Sequence, residues 1–121
     1  MKQFCFLEWT VYRDAKRLFL ETRKLSNALT FDDKRALGNQ ILRSSLSVVL
    51  NISEGSGKPS PREFIRFIDI SLGSLYETRA AIDIMLDIEK IPQEKMMALD
   101  KQIRSIANQL GGLRKKKRGE F

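Results

Sequence analysis

The stretch of this sequence that most resembles a chemical site is Asn51–Ser60, NISEGSGKPS. It combines glycines with a lysine and serines, the residue types of loops whose backbone amides bind phosphate groups. A Walker-type loop requires a glycine five positions before Gly57 and a serine or threonine after Lys58, where the sequence has Ile52 and Pro59. The preceding segment also has helical spacing, whereas such a loop follows a strand. The stretch therefore predicts a turn between two helices, with Lys58 as a weak phosphate contact on the surface.

Other residues that could support catalysis are few. The sequence contains no histidine, which is the commonest general base and metal ligand. Its one cysteine, Cys5, therefore has no imidazole to activate it. Asp83 and Asp87 are spaced one helical turn apart, but solvated acids on a helix surface are a more common arrangement than a cation site. The sequence predicts no enzymatic activity, no metal site and no cofactor.

Basic residues accumulate towards the C-terminus of the chain. The sequence has 22 basic and 15 acidic residues, a formal charge of +7. Residues 92–121 alone carry eight of the basic and three of the acidic residues. Such an excess attracts polyanions through counterion release, although a solvated tail that aids solubility has the same composition. We favour nucleic acid as the partner, contacted by Lys58 and by the basic run Arg114, Lys115, Lys116, Lys117 and Arg118.

Apolar residues recur at helical spacing along most of the chain, and strand alternation is nearly absent. Thr30 and Ser60 have the residue type and position of helix N-caps, and Pro61 suits a first helical position. Gly55 is expected to end the second helix in the left-handed conformation. We predict helices at about residues 8–27, 32–55, 61–89 and 92–111.

The connections between these helices are short, which favours antiparallel neighbours. The predicted fold class is all-α, an up-down-up-down antiparallel four-helix bundle over residues 1–113. Residues 114–121 are expected to form a basic, flexible tail. No apolar run approaches the roughly 18 residues of a membrane span, and no secretory signal is evident. With the single cysteine Cys5, the sequence predicts a cytoplasmic protein with no membrane partner.

The second and third helices can be aligned by their charged and small residues. One antiparallel register places Arg43 opposite Glu77 and Glu54 opposite Arg66, with Gly73 at a contact between small residues. Each pair joins a positive to a negative residue, so we predict two ion pairs. They are expected to fix the alignment of the two helices more than they add to the stability of the fold. A chance alignment of surface charges is the alternative interpretation.

Five short segments match, in order and spacing, motifs of a known family. They are Val11–Ala15 (VYRDA), Gln40–Ser45 (QILRSS), Asn51–Gly55 (NISEG), Glu63–Phe67 (EFIRF) and Ser71–Glu77 (SLGSLYE). Their combination resembles the bacterial four-helix-bundle family often called ribosomal-RNA intervening-sequence proteins. The sequence departs from the family pattern at Tyr12 and Val49, where tryptophan and proline are usual. The structural motif residues marked by the resemblance and the register are Asn51, Glu54, Gly55, Phe64, Arg66, Phe67, Gly73, Arg43 and Glu77.

The resemblance implies a ring-like homo-oligomer, a pentamer, without enzymatic activity. The wide apolar surfaces predicted for the second and third helices support self-association independently. By analogy with the family, we expect a nucleic-acid-binding or accessory protein, with RNA favoured over DNA. A related branch, the accessory variability proteins of diversity-generating retroelements, implies the alternative of an accessory subunit that binds a reverse transcriptase. A protein-interaction scaffold without nucleic-acid binding is a further alternative.

Overall fold

The computed structural model describes residues 3–120, which form four long helices joined by short connections. A short 3-10 helix, Cys5–Glu8, precedes α1. We define α2 as a continuous helix of three parts, with a π-helical segment between two α-helical ones. The helices are α1, Thr10–Asn27; α2, Phe31–Asp33, Lys34–Gly38 and Asn39–Ser56; α3, Pro61–Asp87; and α4, Gln93–Arg118. The predicted all-α fold of four packed helices is thus confirmed.

Hydrogen bonds between the helices show that neighbours run antiparallel. Residue numbers rise along one helix as they fall along its neighbour. Ser44 and Ser47 of α2 bond to Thr78 and Ser74 of α3, and Asp14 and Glu21 of α1 bond to Gln109 and Lys95 of α4. Further hydrogen bonds join Thr22 to Ser45, Ser71 to the carbonyl of Val48, and Arg79 to Asp100. Together the bonds connect α1 with α2, α2 with α3, α3 with α4, and α4 with α1, which closes an up-down-up-down bundle.

The predicted apolar stripes of the four helices meet along the bundle axis and form one core. Buried apolar residues include Val11, Ala15, Leu18, Ile41, Val48, Ile52, Ile68, Leu75, Ile82, Leu99, Ile103, Ile106 and Leu110. Their removal from water supplies the main driving force for helix packing.

Two of the predicted helix starts rest on side-chain caps. The Oγ1 atom of Thr30 accepts a hydrogen bond from the backbone N–H of Asp33 at 3.4 Å. The Oγ atom of Ser60 accepts one from the backbone N–H of Glu63 at 3.2 Å, and Pro61 follows the cap directly. Both caps satisfy a backbone donor that has no partner within its own helix.

Small polar side chains line the contact between α2 and α3. Ser44 bonds to Thr78 at 2.8 Å, and Ser47 bonds to Ser74 at 2.7 Å. Ser71 donates to a backbone carbonyl of α2 at 2.8 Å. These short hydroxyl groups bond to one another, and their small size permits a close approach of the helices. They also confirm a register close to the predicted one, except that Ser74 makes the small-residue contact that was expected of its neighbour Gly73.

The predicted ion pairs between α2 and α3 were wrong. Within residues 3–120 no salt bridge joins Arg43 to Glu77 or Glu54 to Arg66. Glu77 instead accepts a hydrogen bond from Gln40 at 3.2 Å, and the Arg66 guanidinium lies 5.2 Å from an aromatic ring of its own helix. The hydroxyl contacts already hold the two helices together, and all four charged residues are exposed at the edges of this contact, where ion pairs gain little.

Gly55 has a different role from the predicted one. No glycine in the described chain has a positive φ angle, and α2 continues through Ser56. A Cβ atom on Gly55 would lie 3.0 Å from the Cβ atom of Phe67. The residue is therefore needed because α3 approaches α2 closely at this point, not because the backbone turns there.

The basic C-terminal run is helical, so the prediction of a flexible tail was wrong for residues 114–118. Arg114 donates to Asp69 of α3 at 2.7 Å, and the Lys117 ammonium lies 5.2 Å from the ring of Phe64. Lysine and arginine also favour helices and stabilise the negative C-terminal end of the helix dipole. The final residue of the predicted tail, Phe121, lies outside the described residues.

The close approach at Gly55 can be tested with a matched pair of glycine substitutions. We expect Gly55→Ala to lower the free energy of unfolding by about 1–3 kcal/mol, since its methyl group would press on Phe67. Gly111→Ala is the control, because a Cβ atom there meets nothing within 4 Å. That change should stabilise the helix by about 0.5–1 kcal/mol. Urea denaturation measures both values, and equal effects of the two substitutions would contradict the packing role.

Candidate nucleic-acid interface

The antiparallel topology gathers most of the predicted contact residues at one end of the bundle. The starts of α1 and α3 and the ends of α2 and α4 meet there. Lys58 lies in the turn between α2 and α3, and the basic run forms the last turns of α4. We call this surface the basic end, defined by Lys58, Arg62, Arg66 and Arg114–Arg118. Distant parts of the sequence thus contribute to one positive surface.

Two phenylalanines in the first turns of α3 organise this surface. Phe67, only 8% exposed, has the Lys58 ammonium 5.0 Å and the Arg66 guanidinium 5.2 Å from its ring centre. Phe64, only 4% exposed, has the Lys117 ammonium at 5.2 Å. Cations are attracted to aromatic faces, but this attraction does not neutralise their charge. The rings therefore position positive groups while leaving them able to attract a polyanion.

Helix formation divides the basic run into two sets of side chains. Arg114 is bound to Asp69, and Lys117 donates to Glu120 at 3.4 Å in addition to its contact with Phe64. Lys115, Lys116 and Arg118 are exposed and make no salt bridge within residues 3–120. Within the basic run, these three residues remain the most accessible to phosphate.

The role of Arg66 in this surface was not predicted from the sequence. Arg66 was predicted to form an ion pair across the helices, and Phe64 and Phe67 were predicted only as motif residues. The available signal was the interval of three between Phe64 and Phe67, which places both rings on one side of α3. Their pairing with cations from other parts of the chain required the tertiary structure.

Two carboxylates whose pKa values are lowered by basic partners, Asp100 and Glu21, lie away from the basic end. Asp100 of α4 accepts from Arg104 at 2.7 Å and from Arg79 of α3 at 2.8 Å, and these hydrogen bonds lower the pKa of Asp100. Lys95 donates to Glu21 at 2.7 Å and lowers the pKa of Glu21. Both acids are held as anions by basic partners, so their arrangement serves helix packing rather than proton transfer.

Neither a cluster of metal ligands nor a membrane-spanning helix is found among the described residues. Among its residues, no group of three or more histidine, cysteine, aspartate or glutamate side chains could hold a metal ion. None of the described helices is long and apolar enough to cross a membrane. Asp83 and Asp87, spaced one turn apart, are both exposed on α3.

The fold and the surface together define a basic all-α protein built as a four-helix bundle. The family model for the 23S rRNA-intervening sequence protein matches residues 8–112. Since this match covers most of the chain, the protein belongs to the 23S rRNA-intervening sequence protein family. The resemblance inferred from the sequence motifs is therefore confirmed.

A solved structure supports the fold. A crystal structure at 1.70 Å resolution of a protein of unknown function from the S23 ribosomal protein family, from Bacteroides thetaiotaomicron VPI-5482, superposes with a TM-score of 0.80. The two sequences are 23% identical, and the match covers 88% of this chain and 99% of the other. At 23% identity, this similarity supports the fold and does not indicate a shared function. No curated protein matches the sequence significantly.

The Asp100 cluster can be tested by pH-dependent unfolding. Because the pKa of Asp100 is lowered by folding, its contribution is present above about pH 4 and is lost as the pH falls through the folded-state pKa. We expect Asp100→Asn to cost about 1 kcal/mol at pH 7 and progressively less in acid. Asp83→Asn, an exposed carboxylate beside the same helices, is the control and should change little. A cost that is independent of pH would contradict the assignment.

Proposed function

We propose that the protein is a nonenzymatic nucleic-acid-binding protein whose basic end contacts RNA phosphates. The observation that carries this proposal is the set of accessible cations at one end of the bundle, from the turn at Lys58 and from Lys115, Lys116 and Arg118. The family is named for an intervening sequence of 23S rRNA, which favours RNA over DNA as the ligand to test.

Binding at this surface would rest mainly on phosphate contacts. Each cation that replaces a condensed counterion of the nucleic acid adds affinity that weakens as salt is raised. Phosphate contacts carry no sequence information by themselves, so this surface would bind with little sequence preference. Cations held over Phe64 and Phe67 would also require less ordering on binding than freely moving side chains.

The proposed interface predicts a specific change in salt dependence. Lys115→Gln with Arg118→Gln should lower the slope of log affinity against log salt by about 1.4 for single-stranded RNA, since two phosphate contacts are lost. Arg23→Gln with Lys101→Gln is a control of equal charge change at exposed positions outside the basic end. Fluorescence anisotropy of a labelled RNA over a series of salt concentrations measures both. Absence of binding by the unmodified protein at low salt would refute the proposal, and equal losses in the two variants would refute the site.

We further propose that copies of the protein associate through the outer face of α2 and α3. Leu46, Leu50 and Ile70 are exposed there, and Gly73 leaves open space beside them. Charged residues that form no salt bridge within residues 3–120 flank this apolar stripe; they are Arg43, Glu54, Arg66 and Glu77. Both signs of charge are present, so the face is able to complement a second copy. Five copies in a ring is the number that the family resemblance implies.

Self-association through this face can be tested by measuring the molecular mass in solution. Leu50→Gln with Ile70→Gln should shift the mass towards that of the monomer, because the shared apolar contact is lost. Leu20→Gln with Met97→Gln is the control, since Leu20 is 52% exposed on α1 against 53% for Leu50. Light scattering coupled to size-exclusion chromatography measures the mass. A monomeric unmodified protein, or an equal shift in the control, would exclude this face.

The same apolar face supports a second candidate function, a protein-interaction scaffold that does not bind nucleic acid. An accessory subunit for a reverse transcriptase would combine such a protein contact with the basic end. The scaffold and the accessory subunit differ in RNA binding. A pure scaffold would bind other protein chains but would have no salt-dependent affinity for RNA. The anisotropy and mass measurements above therefore separate them.

A further inference from the structure

A groove of about 710 Å³ lies between the start of α1 and the end of α4. We call it the end groove, defined by Trp9, Phe64, Gly112, Lys116 and Lys117. It adjoins the basic end and shares Lys116 and Lys117 with it. The function proposed above uses the cations of the basic end as phosphate contacts, and it gives the groove itself no role.

Two aromatic rings in contact, Trp9 and Phe64, form one wall of the end groove. The Trp9 ring is partly exposed and packs edge-on against Phe64, with 6.3 Å between ring centres and 63° between their planes. Because Phe64 belongs to the buried core, it fixes the position of the indole. On the side of α4, a Cβ atom at Gly112 would meet nothing within 4 Å, so this part of the helix leaves room for a flat group.

The charges of the end groove nearly balance. Lys116 and Lys117 contribute two positive groups, and Glu8 and Glu120 also line the groove. Lys117 is shared between Glu120, at 3.4 Å, and the Phe64 ring. A nearly neutral groove with an aromatic wall suits an uncharged planar group better than a phosphate. The accessible cations around it, Lys115 and Arg118, suit the phosphates that flank such a group.

We propose that the end groove binds a nucleobase of single-stranded RNA, stacked on the indole of Trp9. This inference rests on the proposed function, and it adds that the protein binds single strands in preference to duplexes. Base stacking on aromatic side chains tolerates any base, because every base has a π-face. In a duplex, the bases are already stacked and paired, so only the phosphates would reach the basic end.

The chain provides its own probe for this site, since Trp9 is the single tryptophan of the sequence. We expect a single-stranded 12-nucleotide RNA to quench the intrinsic fluorescence at the concentrations at which anisotropy reports binding. A duplex RNA should bind by anisotropy with little quenching. Binding of the single strand without quenching, or equal quenching by the duplex, would overturn the inference while leaving the proposed function intact. Absence of all RNA binding would refute both.

Two variants of neighbouring glycines test the groove without disturbing the core. Gly112→Leu should fill the groove, abolish the quenching and weaken single-strand binding roughly 5- to 150-fold, the range for loss of one stacked base. Gly111→Leu is the matched control, because Gly111 also faces open space but does not line the groove. Trp9→Phe, which keeps an aromatic ring, should retain most of the affinity. An equal effect of both leucine substitutions, or none from Gly112→Leu, would refute the site.

Discussion

The close contact between α2 and α3 is the constraint on which the rest of this structure depends. Two hydroxyl pairs, Ser44 with Thr78 and Ser47 with Ser74, bridge the helices at 2.8 and 2.7 Å. Such short side chains permit close approach and leave little room for change, since a larger group would separate the helices. Gly55 extends the same contact to the end of α2.

This contact also determines the geometry of the basic end. Because Gly55 has no side chain, Phe67 can pack against α2 at the end of the bundle, where it is only 8% exposed. The buried ring then holds cations from two sources, Lys58 of the turn and Arg66 of α3. Gly55, which lies in the stretch that resembles a phosphate-binding loop, thus makes room for the Phe67 ring. That ring in turn positions the two cations.

Features that depend on local interactions could be predicted from the sequence. Features that depend on contacts between residues far apart in the chain could not. Helix starts at Thr30 and Ser60 follow from nearby residues, and the core follows from helical spacing. The ion pairs and the role of Gly55 depend on the distance between helices, which no local pattern reports. The bounds predicted for α3, residues 61–89, lie within two residues of the observed Pro61–Asp87. The turn that follows was not predicted, since Glu89 adopts a φ of 60° without being glycine and the Lys90 backbone N–H donates to the Met85 carbonyl at 2.8 Å.

The helical form of the basic run changes how it can act on a polyanion. A flexible tail would offer all its charges but would lose conformational freedom when it bound. The helix instead pairs Arg114 with Asp69 and presents Lys115, Lys116 and Arg118 on an ordered helical backbone. Fewer charges are then available, but their ordering costs less on binding. Contacts from α3 fix this end of α4, so the same packing that builds the bundle also prepares its most basic surface.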